Sequence, residues 1–253
     1  MADARRLFDL TGRVACVTGA SGGLGRAAAR LLAENGAQVV GIARRSAALQ
    51  DWRTETRGDT AALEADLSDG SSWTQVADAA AQPFGAPDIL INAAGLNPRA
   101  PADEISPETW TLTQTLNTTA PFFLAQKMVP AMKSKGWGRI LNFASLQSRR
   151  AFANGVAYGA SKGAVEQMTR AMAEAWSPHG ITANALAPGF FRTELTAPVF
   201  ADADLARRNA EQTCIGRNGE PEDLYGPVMF FCSPASDYVT GQVLFVDGGF
   251  TAK

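Results

Sequence analysis

Arg13-Val-Ala-Cys-Val-Thr-Gly-Ala-Ser-Gly-Gly-Leu-Gly25 joins a run of apolar and β-branched residues directly to a cluster of glycines. Residues 13–18 are nearly all apolar, the pattern of a strand buried on both faces of a parallel sheet. Residues 24–35 then carry Leu24, Ala28, Leu31 and Leu32 at helical spacing, and Gly36 stands at the position after a helix where glycine is favoured. A second apolar run, 39–43, restores the strand pattern. A strand, a helix and a strand within about 30 residues match the length a parallel crossover requires.

In that setting the turn is a binding device, because backbone N–H groups at the positive end of the helix would meet a dinucleotide pyrophosphate. Gly19 permits the tight turn, Gly23 lets backbone approach the phosphates, and Gly25 allows close helix packing. The spacing is GxxxGxG rather than the commoner GxGxxG. Ser21 and Leu24 belong to the same expected cofactor cradle.

Outward from this unit the alternation continues. Residues 61–65 and 88–91 read as strands with a helix at 71–82 between them, and 106–135 reads as one long helix opened by an N-cap Ser106, Pro107 and an early acid. Strands at 139–144 and 182–187 flank a helix at 156–176, and 242–246 supplies a last strand before Asp247-Gly-Gly. The expected fold is α/β: a Rossmann-type doubly wound parallel sheet of about seven strands with helices on both faces. No repeat or Pro/Gly/Ser-rich linker divides the chain, so residues 1–253 read as a single domain. The one long irregular stretch is 188–202, and a substrate lid is expected around 188–215.

Composition narrows the function classes. The 253 residues are 46% hydrophobic and 19% charged with a net charge of −2, ordinary values for a globular protein. No basic stripe marks a nucleic-acid partner. No run of about 18 apolar residues could span a membrane, and residues 1–13 lack the apolar core of a signal peptide, so a cytoplasmic protein is expected. Three cysteines without CxxC spacing and the lone His179 leave no metal cluster, so no metal is expected.

The end of the second strand decides the cofactor. An acid there would bind a ribose 2′-hydroxyl and repel a 2′-phosphate, but the chain reads Ile42-Ala-Arg-Arg45. A guanidinium takes a phosphate through paired charge-assisted hydrogen bonds, so NADP(H) is expected over NAD(H), with Arg44 first and Arg45 the alternate.

Tyr158-Gly-Ala-Ser-Lys162 places a phenol and an ammonium four apart on one helix face. A cation beside a phenol stabilises phenolate and lowers its pKa, which would fit Tyr158 for proton transfer to a carbonyl oxygen. The strand at 139–144 ends in Ser145, at the carboxyl edge of the sheet where ligands gather.

These motifs together resemble the short-chain dehydrogenase/reductase family over essentially the whole chain. Thr18 to Gly25 is similar to its glycine signature, Asn92-Ala-Ala-Gly95 to its NAG motif, Asn117 to its helix asparagine, and Pro188-Gly189 through Thr193 to its nicotinamide-side loop. Ala93 replaces an asparagine of the NNAG variant, and Ala120 stands where glycine is common. The resemblance implies that Ser145 orients the carbonyl, Tyr158 protonates it, Lys162 also holds the nicotinamide ribose, and Asn117 supports a proton-relay water. It implies cofactor contacts from Asp66, Leu67, Asn92, Ala93, Gly95, Pro188, Gly189, Phe191 and Thr193. It also implies a homotetramer formed through the long helices.

The expected substrate is a small carbonyl or alcohol. Arg99, Gln147 and Arg149 would bring a guanidinium near the site, suited to a carboxylate, while Phe190 and Leu195 make the lid apolar. The segments after Gly95, Ser145 and Gly189 look most similar to the gluconate 5-dehydrogenase and deoxygluconate dehydrogenase branch, which implies a sugar acid. A 3-oxoacyl thioester or a bulky hydrophobic ketone is the alternative substrate, and a non-catalytic dinucleotide sensor is the remote one.

Overall fold

The apolar run after Arg13 forms β1 (Val14–Thr18), all five residues of which are buried. Buried backbone polar groups need partners, and β1 finds them on both edges, pairing in parallel with β2 (Gln38–Ala43) and β4 (Ile89–Asn92). A computed structural model of the chain describes residues 4–253, so residues 1–3 of the expected single domain lie outside the described residues. The sheet has seven strands in the order β3-β2-β1-β4-β5-β6-β7, adding β3 (Thr60–Glu64), β5 (Gly138–Phe143), β6 (Ile181–Pro188) and β7 (Val243–Val246). Every pairing is parallel. The strand order reverses beside β1, and a crevice opens at the carboxyl ends of β1 and β4.

Alternate residues of the strands feed two cores, as a two-residue repeat demands. Ala15, Val17, Val39, Ile89 and Leu141 pack with Leu32, Leu49, Trp52 and Val228 on one face. Cys16, Val40, Ile42, Leu90 and Ile140 pack with Val76, Leu124, Met128 and Met172 on the other. The first face is covered by α2 (Gly23–Glu34), α3 (Ser46–Glu55) and α10 (Tyr225–Cys232), and the second by α4 (Trp73–Ala80), α6 (Ala120–Lys135) and α7 (Val156–Trp176). A short α1 (Ala4–Leu7) precedes the sheet.

Two expectations need correction. The helix expected over 106–135 is α5 (Pro107–Gln114), a π-helical turn (Thr115–Thr119) and α6, although Ser106 caps it as expected by accepting from the Thr109 N–H at 3.2 Å. The stretch 188–202 is not irregular throughout: a 3₁₀ turn (Glu194–Thr196) leads into α8 (Ala197–Ala201), and Asp202 caps α9 (Ala203–Gln212). Among the described residues no helix is long and apolar enough to cross a membrane, and no cluster of His, Cys, Asp or Glu could hold a metal.

Candidate active site

The strand ends are tied together before any ligand-facing group is placed. Thr18 Oγ1 accepts from the N–H groups of Ala93 and Ala94 at 3.1 and 3.0 Å, joining β1 to the loop after β4. Gly19 follows with φ of 74°, and a Cβ there would stand 2.9 Å from the Ala94 nitrogen. Both the left-handed backbone and the close approach require glycine.

Above these strand ends lies a cleft of about 720 Å³. The phosphate turn contributes Gly19, Ser21, Gly23, Leu24 and Gly25, and the next two strand ends contribute Arg44, Arg45 and Leu67. The loop after β4 brings Ala93, Gly95 and Arg99, while Ser145, Gln147, Tyr158 and Lys162 form the wall behind β5. Pro188, Gly189, Phe190, Phe191, Thr193 and Leu195 close the remaining side.

Four expected residues sit elsewhere. Asn92 is buried beneath the cleft, where its Nδ2 donates to Asn142 Oδ1 at 2.9 Å and braces β4 against β5. Asp66 accepts from the N–H and hydroxyl of Ser68 at 2.9 and 2.7 Å, which lowers its pKa, and leaves the cleft wall to Ala65 and Leu67. Asn117, inside the π turn, spends its amide on protein: Oδ1 accepts from Leu96 N–H, and Nδ2 donates to Leu96 O and Ser161 Oγ, all within 3.0 Å. Its side chain thus pins the loop after β4 to α7. Arg149 turns away from the cleft to form a two-pronged pair with Glu166, its shortest contact 2.6 Å, and stacks over Phe245. Glu166 is nearly buried and also takes Arg170, so Arg149 answers a buried carboxylate rather than a substrate.

Ser145 Oγ accepts from Gln147 N–H at 3.1 Å and lines the cleft with Tyr158. Burial raises the phenol pKa above its usual 10, and the Ser145 hydroxyl and the Arg99 guanidinium oppose that rise without reversing it. The lowering expected from a neighbouring cation is outweighed by burial. Lys162 is itself buried, its Nζ donates to Phe143 O at 2.6 Å, and it lies 5.6 Å from the Tyr158 ring centroid; burial drags its pKa from 10.5 to about 8. At neutral pH Tyr158 is therefore a protonated acid.

Glu194 was invisible as a site residue in the sequence. From the 3₁₀ turn after Thr193 its carboxylate reaches Arg45 at 2.7 Å, while Arg45 also donates to Ser21 Oγ and O at 3.3 Å. Arg44 meets Asp66 only loosely, at 3.8 Å, with its side chain 64% exposed. Arg44 is thus the freer guanidinium.

A glycine-cradled turn at the sheet's switch point, facing a serine, a protonated phenol and a buried lysine, defines a dinucleotide-linked oxidoreductase. Residues 19–251 match the family profile described as Enoyl-(Acyl carrier protein) reductase. The chain is 40% identical over 250 residues to gluconate 5-dehydrogenase of Gluconobacter oxydans (strain 621H), covering 98% of each. It is 34% identical to a 3-oxoacyl-[acyl-carrier-protein] reductase of Vibrio cholerae, over 96% of this chain and 98% of that one. The crystal structure of a gluconate 5-dehydrogenase from Burkholderia cenocepacia J2315 in complex with NADP and tartrate superposes with a TM-score of 0.91 at 38% identity, covering 99% of this chain and 100% of that one. The chain belongs to the short-chain dehydrogenase/reductase family.

Proposed function

We propose that this protein is an NADP(H)-dependent oxidoreductase that interconverts a ketone and a secondary alcohol on a sugar acid of the keto-gluconate type. The observation that carries the reading is that Arg99 and Tyr158 line one cavity, which therefore offers both a proton donor for a carbonyl and a cation for a carboxylate. Two of the three relatives named above are gluconate 5-dehydrogenases, which supports it.

The residues present fit the cofactor. Helix α2 begins at Gly23 with no side-chain cap and no acid in its first turn, which suits its N-terminus to a pyrophosphate, and two arginines flank that turn. Arg44 would take the 2′-phosphate, the turn from Gly19 to Gly25 the pyrophosphate, and Lys162 the nicotinamide ribose. When bound, NADPH supplies hydride to the carbonyl carbon. The Ser145 hydroxyl holds the carbonyl oxygen, and the Tyr158 phenol gives that oxygen its proton as negative charge develops there. Exchanging Arg44 for aspartate is expected to raise the Michaelis constant for NADPH about tenfold or more and to favour NADH; an unchanged NADPH constant in steady-state kinetics refutes the assignment.

A 3-oxoacyl thioester is the second reading, favoured by the Phe152, Phe190 and Phe250 cluster, whose ring centroids lie 5.8 to 6.1 Å apart beside the cleft. NADPH and NADH consumption over a panel of keto acids, acyl thioesters and hydrophobic ketones decides between them, with the keto acids expected to be fastest. Arg99→Ala should raise the Michaelis constant for an acidic substrate about 10- to 100-fold, the worth of a charge-assisted hydrogen bond, and that for a neutral ketone far less. Equal effects would discard the carboxylate role.

We read the assembly as a homotetramer, supported by Trp110, Leu112 and Val156, which stand 40 to 49% exposed on α5 and α7. A cytoplasmic location is supported by Cys16, Cys214 and Cys232, all free thiols.

A further inference from the structure

The segment that closes the cleft carries one side chain that folding does not explain. Asn209 is the buried residue of α9, 5% exposed, and it lines the cavity beside Leu195, Val199 and Leu205. Its amide nitrogen has no hydrogen-bond partner. A buried donor left unpaired destabilises the fold, and an aliphatic residue of the same size would pack against those neighbours without that cost. A second orphan lines the same cavity: the amide oxygen of Asn97, on the loop after β4, accepts from nothing.

A donor without an acceptor and an acceptor without a donor are what a hydroxyl group satisfies, since its oxygen accepts from Nδ2 and its proton goes to Oδ1. Leu195, Val199 and Leu205 beside Asn209 are apolar, so a hydrogen bond to its amide would meet less competition from water. We propose that Asn209 is a specificity-determining residue which, with Asn97, takes the chain hydroxyls of a polyhydroxylated substrate. The proposal rests on the sugar-acid reading but concerns other groups of the substrate, the hydroxyls rather than the carboxylate at Arg99. An acyl chain without hydroxyls leaves both amides unpaired, which discriminates against thioesters at the same site.

The test compares wild type with Asn209→Leu on 5-keto-gluconate, on fructose as a neutral polyhydroxy ketone, and on ethyl acetoacetate, which has no hydroxyl. In the variant, the ratio of kcat/KM for either polyhydroxy ketone to that for ethyl acetoacetate should fall about 30-fold, the loss expected when one buried substrate hydroxyl is left without its partner. The variant should melt at or above the wild-type temperature, because an unpaired donor has gone; a residue needed only for structure would lower it. An unchanged ratio, or equal losses on all three ketones with a lower melting temperature, overturns the proposal and leaves the sugar-acid function intact. Wild-type activity on fructose but not on keto-gluconate overturns the carboxylate reading, and Asn209 is then judged on fructose alone. Activity confined to ethyl acetoacetate overturns both. Asn209→Ala carries the same comparison if the leucine variant does not fold.

Discussion

Replacing Tyr158 with phenylalanine should slow carbonyl reduction about a thousandfold, within the range that a positioned general acid supplies, and leave the fold unchanged. The ring is buried among the residues that close the cleft, so phenylalanine keeps its packing and only the hydroxyl is lost. Ser145 retains its contact with Gln147 N–H, so the wall behind β5 keeps its shape. NADPH binding, followed by fluorescence, should stay near wild type, whereas single-turnover hydride transfer should collapse. A fall of less than tenfold would remove Tyr158 from the chemistry. The pH profile carries the same signature. Burial raises the phenol pKa, so the acid form needed for reduction persists through neutral pH and is lost only as pH climbs past that raised value. Alcohol oxidation needs the phenolate, and its rate should rise over the same alkaline range.

Lys162→Met should abolish useful turnover and make the protein more stable. The ammonium is buried with one carbonyl partner, and the fall of its pKa from 10.5 to about 8 corresponds to about 3 kcal/mol of disfavoured charge. Methionine keeps the apolar stem but leaves the Phe143 carbonyl without its donor, at about 1 kcal/mol. A net gain of about 2 kcal/mol is expected at neutral pH, or about 5 °C in melting temperature for a chain of this size. The sign follows from linkage: the folded state disfavours the charged form, so the penalty is full below pH 8, shrinks as pH rises to 10.5, and is absent above. Calorimetry at pH 7 and pH 10 checks this, and a variant that melts lower than wild type at pH 7 would overturn it. A stability cost at the reaction centre, removed together with activity, is what a site shaped for chemistry rather than for folding should display.

The fold was legible where periodicity is strong. The buried strand β1 reads as a nearly unbroken apolar run, and α7 keeps the boundaries that its helical spacing predicts. Helix α10 was missed because Tyr-Gly-Pro-Val-Met-Phe-Phe-Cys is apolar almost all round and carries a glycine and a proline, so no face stands out. The π turn has no sequence signature, since widening a helix by one residue per turn is a product of packing, here of Asn117 and Thr118 on Ser161. At the site, Ser145, Tyr158 and Lys162 were legible because a short motif holds two of them on one helix. Arg149 misled because a strand-end position predicts nearness to the cleft but not the direction of a long side chain, and Glu166 took it. Glu194 left no trace because it acquires its setting from Arg45, far along the chain, and Asn209 because a polar residue in a largely polar helix gives no sign that it is the buried one.

The reversal of strand order at β1 sets a timetable for biosynthesis. Gly19 cannot adopt its final contacts until Ala94 has docked, and the groups at 145, 158 and 162 emerge later still, on strands and helices laid against the other side of β4. A nascent chain thus completes its nucleotide-gripping half first and its reactive half last. The dinucleotide that spans both halves binds only the finished article, and so doubles as a folding clasp: protease resistance of the C-terminal half should rise with its concentration.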